Sequence, residues 1–129
     1  MIPKFRAWLE KKKKMVEVRV IDWNNRVIDS FVPFIEIDFD EVTFMQSTGL
    51  KDKNGKEIFE GDVIAIEVDD TETPINARVF QNSKIGVLMF HVFEDNEDVP
   101  MVELLEDNSV SFEIIGNIYE NPELLEVTE

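Results

Sequence analysis

The chain has one imidazole, His91, with Glu94 three residues on. Together they could offer a metal ion a nitrogen and an oxygen, or a substrate a general base. Both fall where an alternating strand passes into a polar loop, and an offset of three there sends side chains to opposite faces. The spacing therefore predicts a partly buried strand histidine and not a ligand pair. Carboxylates are more plentiful. The groups Asp38, Asp40 and Glu41, then Glu67, Asp69 and Asp70, then Glu94, Asp95, Glu97 and Asp98 could hold calcium or magnesium if loops brought two of them together. None has the Asp-x-Asp-x-Asp-Gly opening and closing Glu of an EF-hand loop, so the simpler expectation is a solvated acidic face. Asp38 and Asp40 could also form a hydrolase pair, without an accompanying base or metal-ligand spacing. The hydroxyls of Ser47, Thr48, Ser83 and Ser109 share the same single histidine as candidate base, and no spacing favours a triad. No catalytic, cofactor or metal residue is assigned, and a non-enzymatic role without cofactor is expected.

Charge is more telling. The 129 residues hold 28 acids and 13 bases, a formal net charge of -15. Residues 1–14 carry six bases (Lys4, Arg6, Lys11, Lys12, Lys13 and Lys14) against Glu10, so that segment is +5 and the remainder -20. Twelve acids and no base follow Lys84. Such a surface repels phosphate backbones and membrane faces and favours basic partners or solubility. The candidate partner face is Glu94, Asp95, Glu97, Asp98, Glu103 and Glu106, suited to a basic protein partner. Lys11–Lys14 could touch nucleic acid, but four adjacent lysines with only Phe5 and Trp8 nearby read more simply as a solvated turn. They are also the candidate oligomer arm: a basic N-terminal segment of one copy would be drawn to the acidic body of another, or would fold onto its own. A homo-oligomer is expected, without nucleic acid or membrane. There is no cysteine, which suits a reducing compartment, and no apolar run near the ~18 residues of a membrane span. The charges within MVEVRVID after the lysines exclude a signal-peptide core, so a cytoplasmic location is expected.

Strands must position these residues, because apolar side chains alternate with a period of two along much of the chain. Val16, Val18 and Val20 alternate with Glu17, Arg19 and Ile21. Trp23-Asn24-Asn25 reads as a turn through the tolerance of asparagine for the left-handed region, and Arg26 to Val32 completes a hairpin. After Pro33, Phe34 to Phe39 is expected as a short edge strand and Val42 to Gln46 as the start of another. In TGLKDKNGKEIFEGDVI (residues 48–64), Asn54-Gly55 predicts a type I′ turn with both residues at positive φ. Gly61, between Glu60 and Asp62, predicts a glycine bulge at the mouth of the strand Val63 to Val68. Ala77 to Phe80 and Gly86 to Phe93 form another hairpin, Glu94 to Asp98 an acidic loop tip, Met101 to Glu106 a strand or helical turn, and Ser109 to Ile118 a strand. Asn121 as N-cap and Pro122 at the first helical position predict one helical turn. The fold class is mainly β, a small β-barrel or sandwich with little helix: an N-terminal β subdomain over residues 1–46 and an SH3-like β-barrel over 47–129.

Three blocks, IPKFRAWLEKKKKM (residues 2–15), TGLKDKNGKEIFEGDVI (48–64) and IGNIYENPELLE (115–126), occur in the order of the YopX family and together resemble it. Trp8 and Met15 fit its pattern; Arg19 to Glu41 and Glu67 to Leu104 carry no likeness. The family is encoded by bacteriophages and prophages, mainly of Gram-positive bacteria. The resemblance implies a phage origin, a bacterial host and a β-rich fold, and no particular reaction. The expected function is that of a phage accessory protein acting by protein–protein contact. A rival is an acidic inhibitor that imitates DNA in the basic groove of a host protein, with Glu94 to Glu106 as the mimic. A metal-dependent hydrolase is third.

Overall fold

The structure is a computed structural model that describes residues 4–31, 35–69, 73–82, 84, 86–105 and 109–125. The chain forms two compact units, Met1–Ser47 and Thr48–Glu129.

In the first unit the strands are β1 (Phe5–Leu9), β2 (Lys14–Asp22), β3 (Val27–Ser30), β4 (Glu36–Asp38) and the first part of β5 (Val42–Lys51), with a 3₁₀ turn at Phe39–Glu41 between the last two. They pair in the order β4-β3-β2-β1-β5, every pair antiparallel. The valine alternation of β2 and the apolar residues of β1 close on one cluster of Ala7, Leu9, Val16, Ile28 and Ile37. The described part of the basic N-terminal segment is built into this sheet. Phe5–Leu9 lies between two neighbours, with Trp8 opposite both Met15 and Thr43. A strand with Ala7 fully buried and Leu9 3% exposed cannot reach out to another copy without emptying its own core. Lys11–Lys13 form the exposed turn joining β1 to β2, the solvated reading of the lysine run. Between β2 and β3 the Asp22 carboxylate accepts the N–H groups of Asn24 and Asn25, both at 3.1 Å. The left-handed residue expected among the asparagines is instead Arg26, at φ 55°.

The second unit contains β6 (Glu57–Phe59), β7 (Asp62–Val68), β8 (Ile75–Gln81), β9 (Leu88–Val92), β10 (Glu97–Pro100), the one-turn helix α1 (Met101–Leu105), β11 (Val110–Asn117) and a 3₁₀ turn at Pro122–Leu125. The end of β5 borders β6, and the other strands form an antiparallel sheet in the order β10-β9-β8-β7-β11. The fold is mainly β, as the alternation predicts, but the expected SH3-like barrel does not close, since β10 and β11 are opposite edges of this sheet. Four residues ending in a proline without an N–H, followed at once by α1, leave β10 little ladder to offer a sixth neighbour. Ile58, Ile64, Ile66, Ala77, Val79, Phe90, Val92 and Met101 make the core. Asp62 through Ile66 is buried on both faces, which is why this strand reads as a continuous apolar run.

Two glycine turns differ from expectation. The hairpin bonds run from Asp52 N–H to Lys56 O (2.8 Å) and from Gly55 N–H to Asp52 O (3.0 Å). Gly55 has φ +83°, but Asn54 is not at positive φ. The turn passes through Lys53-Asn54 and is closed by a left-handed Gly55, so it is the three-residue form and not type I′. The cause is Asp52, whose Oδ1 accepts the N–H groups of Asn54 and Lys56, both at 2.9 Å, and so starts the turn one residue early. Gly61, at φ +87°, is a corner between β6 and β7 and not a bulge. Its N–H donates to Val79 O (2.8 Å) and its carbonyl accepts Ile118 N–H (2.9 Å). The register shift lies on β11, between Ile114 and Gly116.

Candidate functional site

Polar side chains gather at the Asp52 turn, at the C-terminal block around Asn117, in the β9–β10 hairpin and at the lysine turn. At the first, Asp52 is 6% exposed and its second oxygen accepts the N–H of Ile114 at 3.0 Å. Burial pushes its carboxyl up, yet the three N–H groups, from Ile114, Lys56 and Asn54, outweigh that and hold it below the usual carboxylate range. Lys53 lies across the neighbouring ladder, its Nζ 2.9 Å from Glu67 and 3.9 Å from Glu113. The hydrogen bond to Glu67 is the main reason its ammonium is held above the ordinary value. The bonds from Asn54 and Lys56 close the 52–56 turn on itself, and those to Ile114, Glu67 and Glu113 tie it to β7 and β11. Nothing in it is aimed at a ligand.

The C-terminal block does similar work. Asn117 Oδ1 accepts the N–H groups of Tyr119 (3.0 Å) and Glu120 (2.8 Å). Asn121 does not cap the helical turn with its side chain but returns its Oδ1 to the Asn117 N–H at 3.2 Å. A Cβ on Gly116 would sit 2.5 Å from that oxygen and 2.9 Å from Leu124 Cδ1. Glycine is therefore required there for close approach.

In the β9–β10 hairpin, Glu94 and Asp95 occupy the turn, whereas Glu97 and Asp98 belong to β10 and not to a loop tip. Asn96 takes the left-handed conformation that closes the turn, at φ 51°. Adjacent strand residues point to opposite faces, so the expected partner face divides. Asp98 stands on the side of its cross-strand partner His91, with Oδ1 2.7 Å from Nδ1, and Glu97 stands on the other. Glu103 is exposed on α1, and Glu106 lies outside the described residues. His91 thus finds its carboxylate not at Glu94 but at Asp98, seven residues away. The pairing was readable in principle, because an αL asparagine closing a four-residue turn sets residues 91 and 98 opposite each other. Among the described residues, no three His, Asp or Glu side chains converge as a metal cage.

At the lysine turn, Lys11 Nζ reaches Glu41 at 3.1 Å and Lys13 reaches Glu10 at 4.0 Å. Both ammoniums remain mostly in solvent, so the pairs contribute little. No helix among the described residues is long and apolar enough to cross a membrane.

The family model described as YopX protein matches residues 4–126. The chain belongs to the YopX family. Among solved structures it is similar to protein EF1440 from Enterococcus faecalis, at 31% identity and a TM-score of 0.66, over 98% of this chain and 99% of that one. It also shares its fold with protein yopX from Bacillus subtilis, at 21% identity and a TM-score of 0.62, over 95% and 98% of the two chains. None of the curated proteins matches. The blocks that carry the YopX likeness are the central strand and lysine turn, the Asp52 clasp with its Gly61 corner, and the Gly116–Asn121 approach. Each of them builds the fold.

Proposed function

We propose that this YopX family member is a phage or prophage accessory protein of the bacterial cytoplasm that acts by protein–protein contact, without enzymatic activity, and assembles as a homo-oligomer. One observation carries the reading. Counted by unit, Met1–Ser47 has eight bases against eight acids, whereas Thr48–Glu129 has five against twenty, so the whole -15 resides on the second unit. Its exposed acids Glu94, Asp95, Glu97, Asp98 and Glu103 offer a basic partner a negative field in which, among the described residues, His91 engages Asp98. The phage setting and the bacterial host rest on the family's own context.

A narrower reading, that the partner's surface is one built for nucleic acid, is favoured by the same concentration of charge. Capture of host proteins on the immobilised chain, at low and high salt, tests both. A specific partner released by salt, and lost with a Glu94→Gln, Asp95→Asn, Glu97→Gln, Glu103→Gln variant, supports the contact. Competition for that partner by duplex DNA selects the mimic. Capture unchanged by the four substitutions would move the contact elsewhere. The chain itself should give no gel shift with duplex DNA at sub-micromolar protein, since its acidic unit faces phosphate within about one Debye length, ~8 Å at physiological salt.

A further inference from the structure

β4 is the outer strand of the first unit's sheet. Its bonds to β3 alternate. Ser30 N–H donates to Ile35 O at 2.9 Å and Phe39 N–H to Arg26 O at 2.9 Å, and Ile37 lies opposite Ile28 between them. The odd-numbered residues therefore face β3, and the N–H and C=O groups of Glu36 and Asp38 point the other way, toward the free edge. An unpaired edge is an adhesive surface unless something blunts it. Two acids on a strand of three residues blunt it against itself: in an antiparallel β4–β4 pairing centred on Ile37, Glu36 would face Asp38 of the second copy and the like charges would repel. They do not blunt it against a strand whose own acids lie clear of Glu36 and Asp38.

Against this strand lies a groove of about 300 Å³, near the lower limit of small binding pockets. Its floor is aliphatic: Leu9, Ile35 and Ile37, with Leu9 and Ile37 in the buried cluster. Lys11, Lys12, Glu36 and Glu41 complete its lining, with Lys12 on the side of the lysine turn. Lys11 is taken by Glu41, while Lys12 has no ion-pair partner among the described residues. The turn that presents it and the first residue of β2 hold four consecutive lysines, a local positive field within a unit of zero net charge. Outward backbone groups, an aliphatic hollow and an available ammonium thus lie side by side.

We infer that this edge is a docking site for an extended peptide segment of a partner protein, one in which an aliphatic residue is followed by carboxylates. The peptide backbone adds to β4 through Glu36 and Asp38, the aliphatic side chain enters the hollow over Leu9 and Ile37, and a carboxylate meets Lys12. Specificity comes from the charge sign on the lysine side and from the size of the hollow. The site is independent of the acidic second unit, so either reading can fail without the other.

The test is fluorescence anisotropy of the full chain with a labelled peptide, Ser-Thr-Val-Leu-Asp-Glu-Ser. Two forms N-methylated at alternate residues, and a form with lysines in place of the acids, serve as comparisons. Saturable binding of the acidic peptide is expected, with one N-methylated form losing it and the other keeping it, because edge pairing uses alternate amides. Lys12→Glu should weaken binding about tenfold, and raised salt should weaken it too. Glu36→Pro removes an N–H that points away from β3, so its melting midpoint should stay near wild type while binding falls. Should Glu36→Pro unfold, Lys12→Glu on the exposed turn still decides. Light scattering during the titration distinguishes peptide docking from self-association. Absence of saturable binding, equal binding of the lysine peptide, equal binding of both N-methylated forms, or indifference to Lys12→Glu would each overturn the proposal.

Discussion

The two units solve the same problem, a small antiparallel sheet with a tight turn started by an aspartate, in different solvents. Asp22 in the first unit and Asp52 in the second both accept the N–H groups of residues two and further along. Asp22 also takes the Asn25 amide at 2.8 Å and stays in water. Asp52 is buried and takes a third N–H from Ile114, 62 residues on in sequence. In both, hydrogen bonding holds the carboxyl below its usual range, led in Asp22 by the Asn25 side chain and achieved in Asp52 against the opposing push of burial. An exposed turn carboxylate is replaceable by water; a buried one is not. The comparison explains how a unit of net charge -15 can hold together: its buried acids are hydrogen-bonded, Asp52 to three N–H groups and Asp62, 1% exposed, to that of Phe59, while the exposed acids of the β9–β10 hairpin and α1 remain in solvent.

The sharpest way to break this comparison is Asp52→Ala. It leaves three N–H groups without their acceptor, and at about 1–3 kcal/mol for each one left buried the loss should be about 3 kcal/mol or more. Asp22→Ala should cost much less, since water can take its place. Chemical denaturation of both variants measures the difference, and equal losses would mean that burial does not separate the two turns. The sign of the pH effect follows. A depressed folded-state pKa gives Asp52 a stabilising contribution that is present above about pH 4 and is lost as pH falls through the lower folded value. Wild type should thus lose stability on acidification more steeply than Asp52→Asn.

Next in size is Gly116→Val, which drives a side chain into Asn121 and Leu124. Overpacking of this kind costs about 1–3 kcal/mol. Gly55→Val meets nothing within 4 Å, so its cost should be backbone strain alone, about 1 kcal/mol or more. Thermal melts rank the two, and the order Gly116 before Gly55 distinguishes crowding from φ. Lys53→Ala should follow with a smaller loss that shrinks as salt rises, because Lys53 spans Glu67 and Glu113 and is not the idle turn residue its place beside Asn54-Gly55 suggests.

These differences track what the sequence makes legible. Period-two alternation located β2, β7, β8, β9 and β11 within a residue or two, since a half-buried strand writes its burial into adjacent letters. The short central strand β1 is hidden because its burial depends on β5, more than thirty residues on, as well as on β2 across the lysine turn, while the lysines beside it signal only charge. Asp52, Gly116 and the His91–Asp98 pair were missed for a related reason. Each depends on where a turn closes or on a residue far along the chain, and the NG dipeptide pulled the turn one residue late. The three family blocks were legible as letters, though what they build became visible only with Asp52 seated on Ile114 and Asn121 seated over Gly116.

The smallest expected effect on stability, and the one that carries the comparison between units furthest, is replacement of Lys11–Lys14 by Ser. The lysines lie on an exposed turn with weak pairs to Glu41 and Glu10, so the melting midpoint should scarcely move. Assembly is a separate matter. The neutral first unit becomes net -4 without these four charges, and any attraction between its lysine turn and the acidic unit of another copy is removed. If that attraction holds a homo-oligomer, light scattering should show the wild type shrinking as salt rises and the serine variant small at every salt, because the screened interaction is gone. A wild type that is monomeric throughout would end the oligomer reading. An oligomer indifferent both to salt and to the lysines would place the contact on apolar surface, for which Val102, 56% exposed on α1, and Trp23, 71% exposed beside Phe39, are the candidates in the two units.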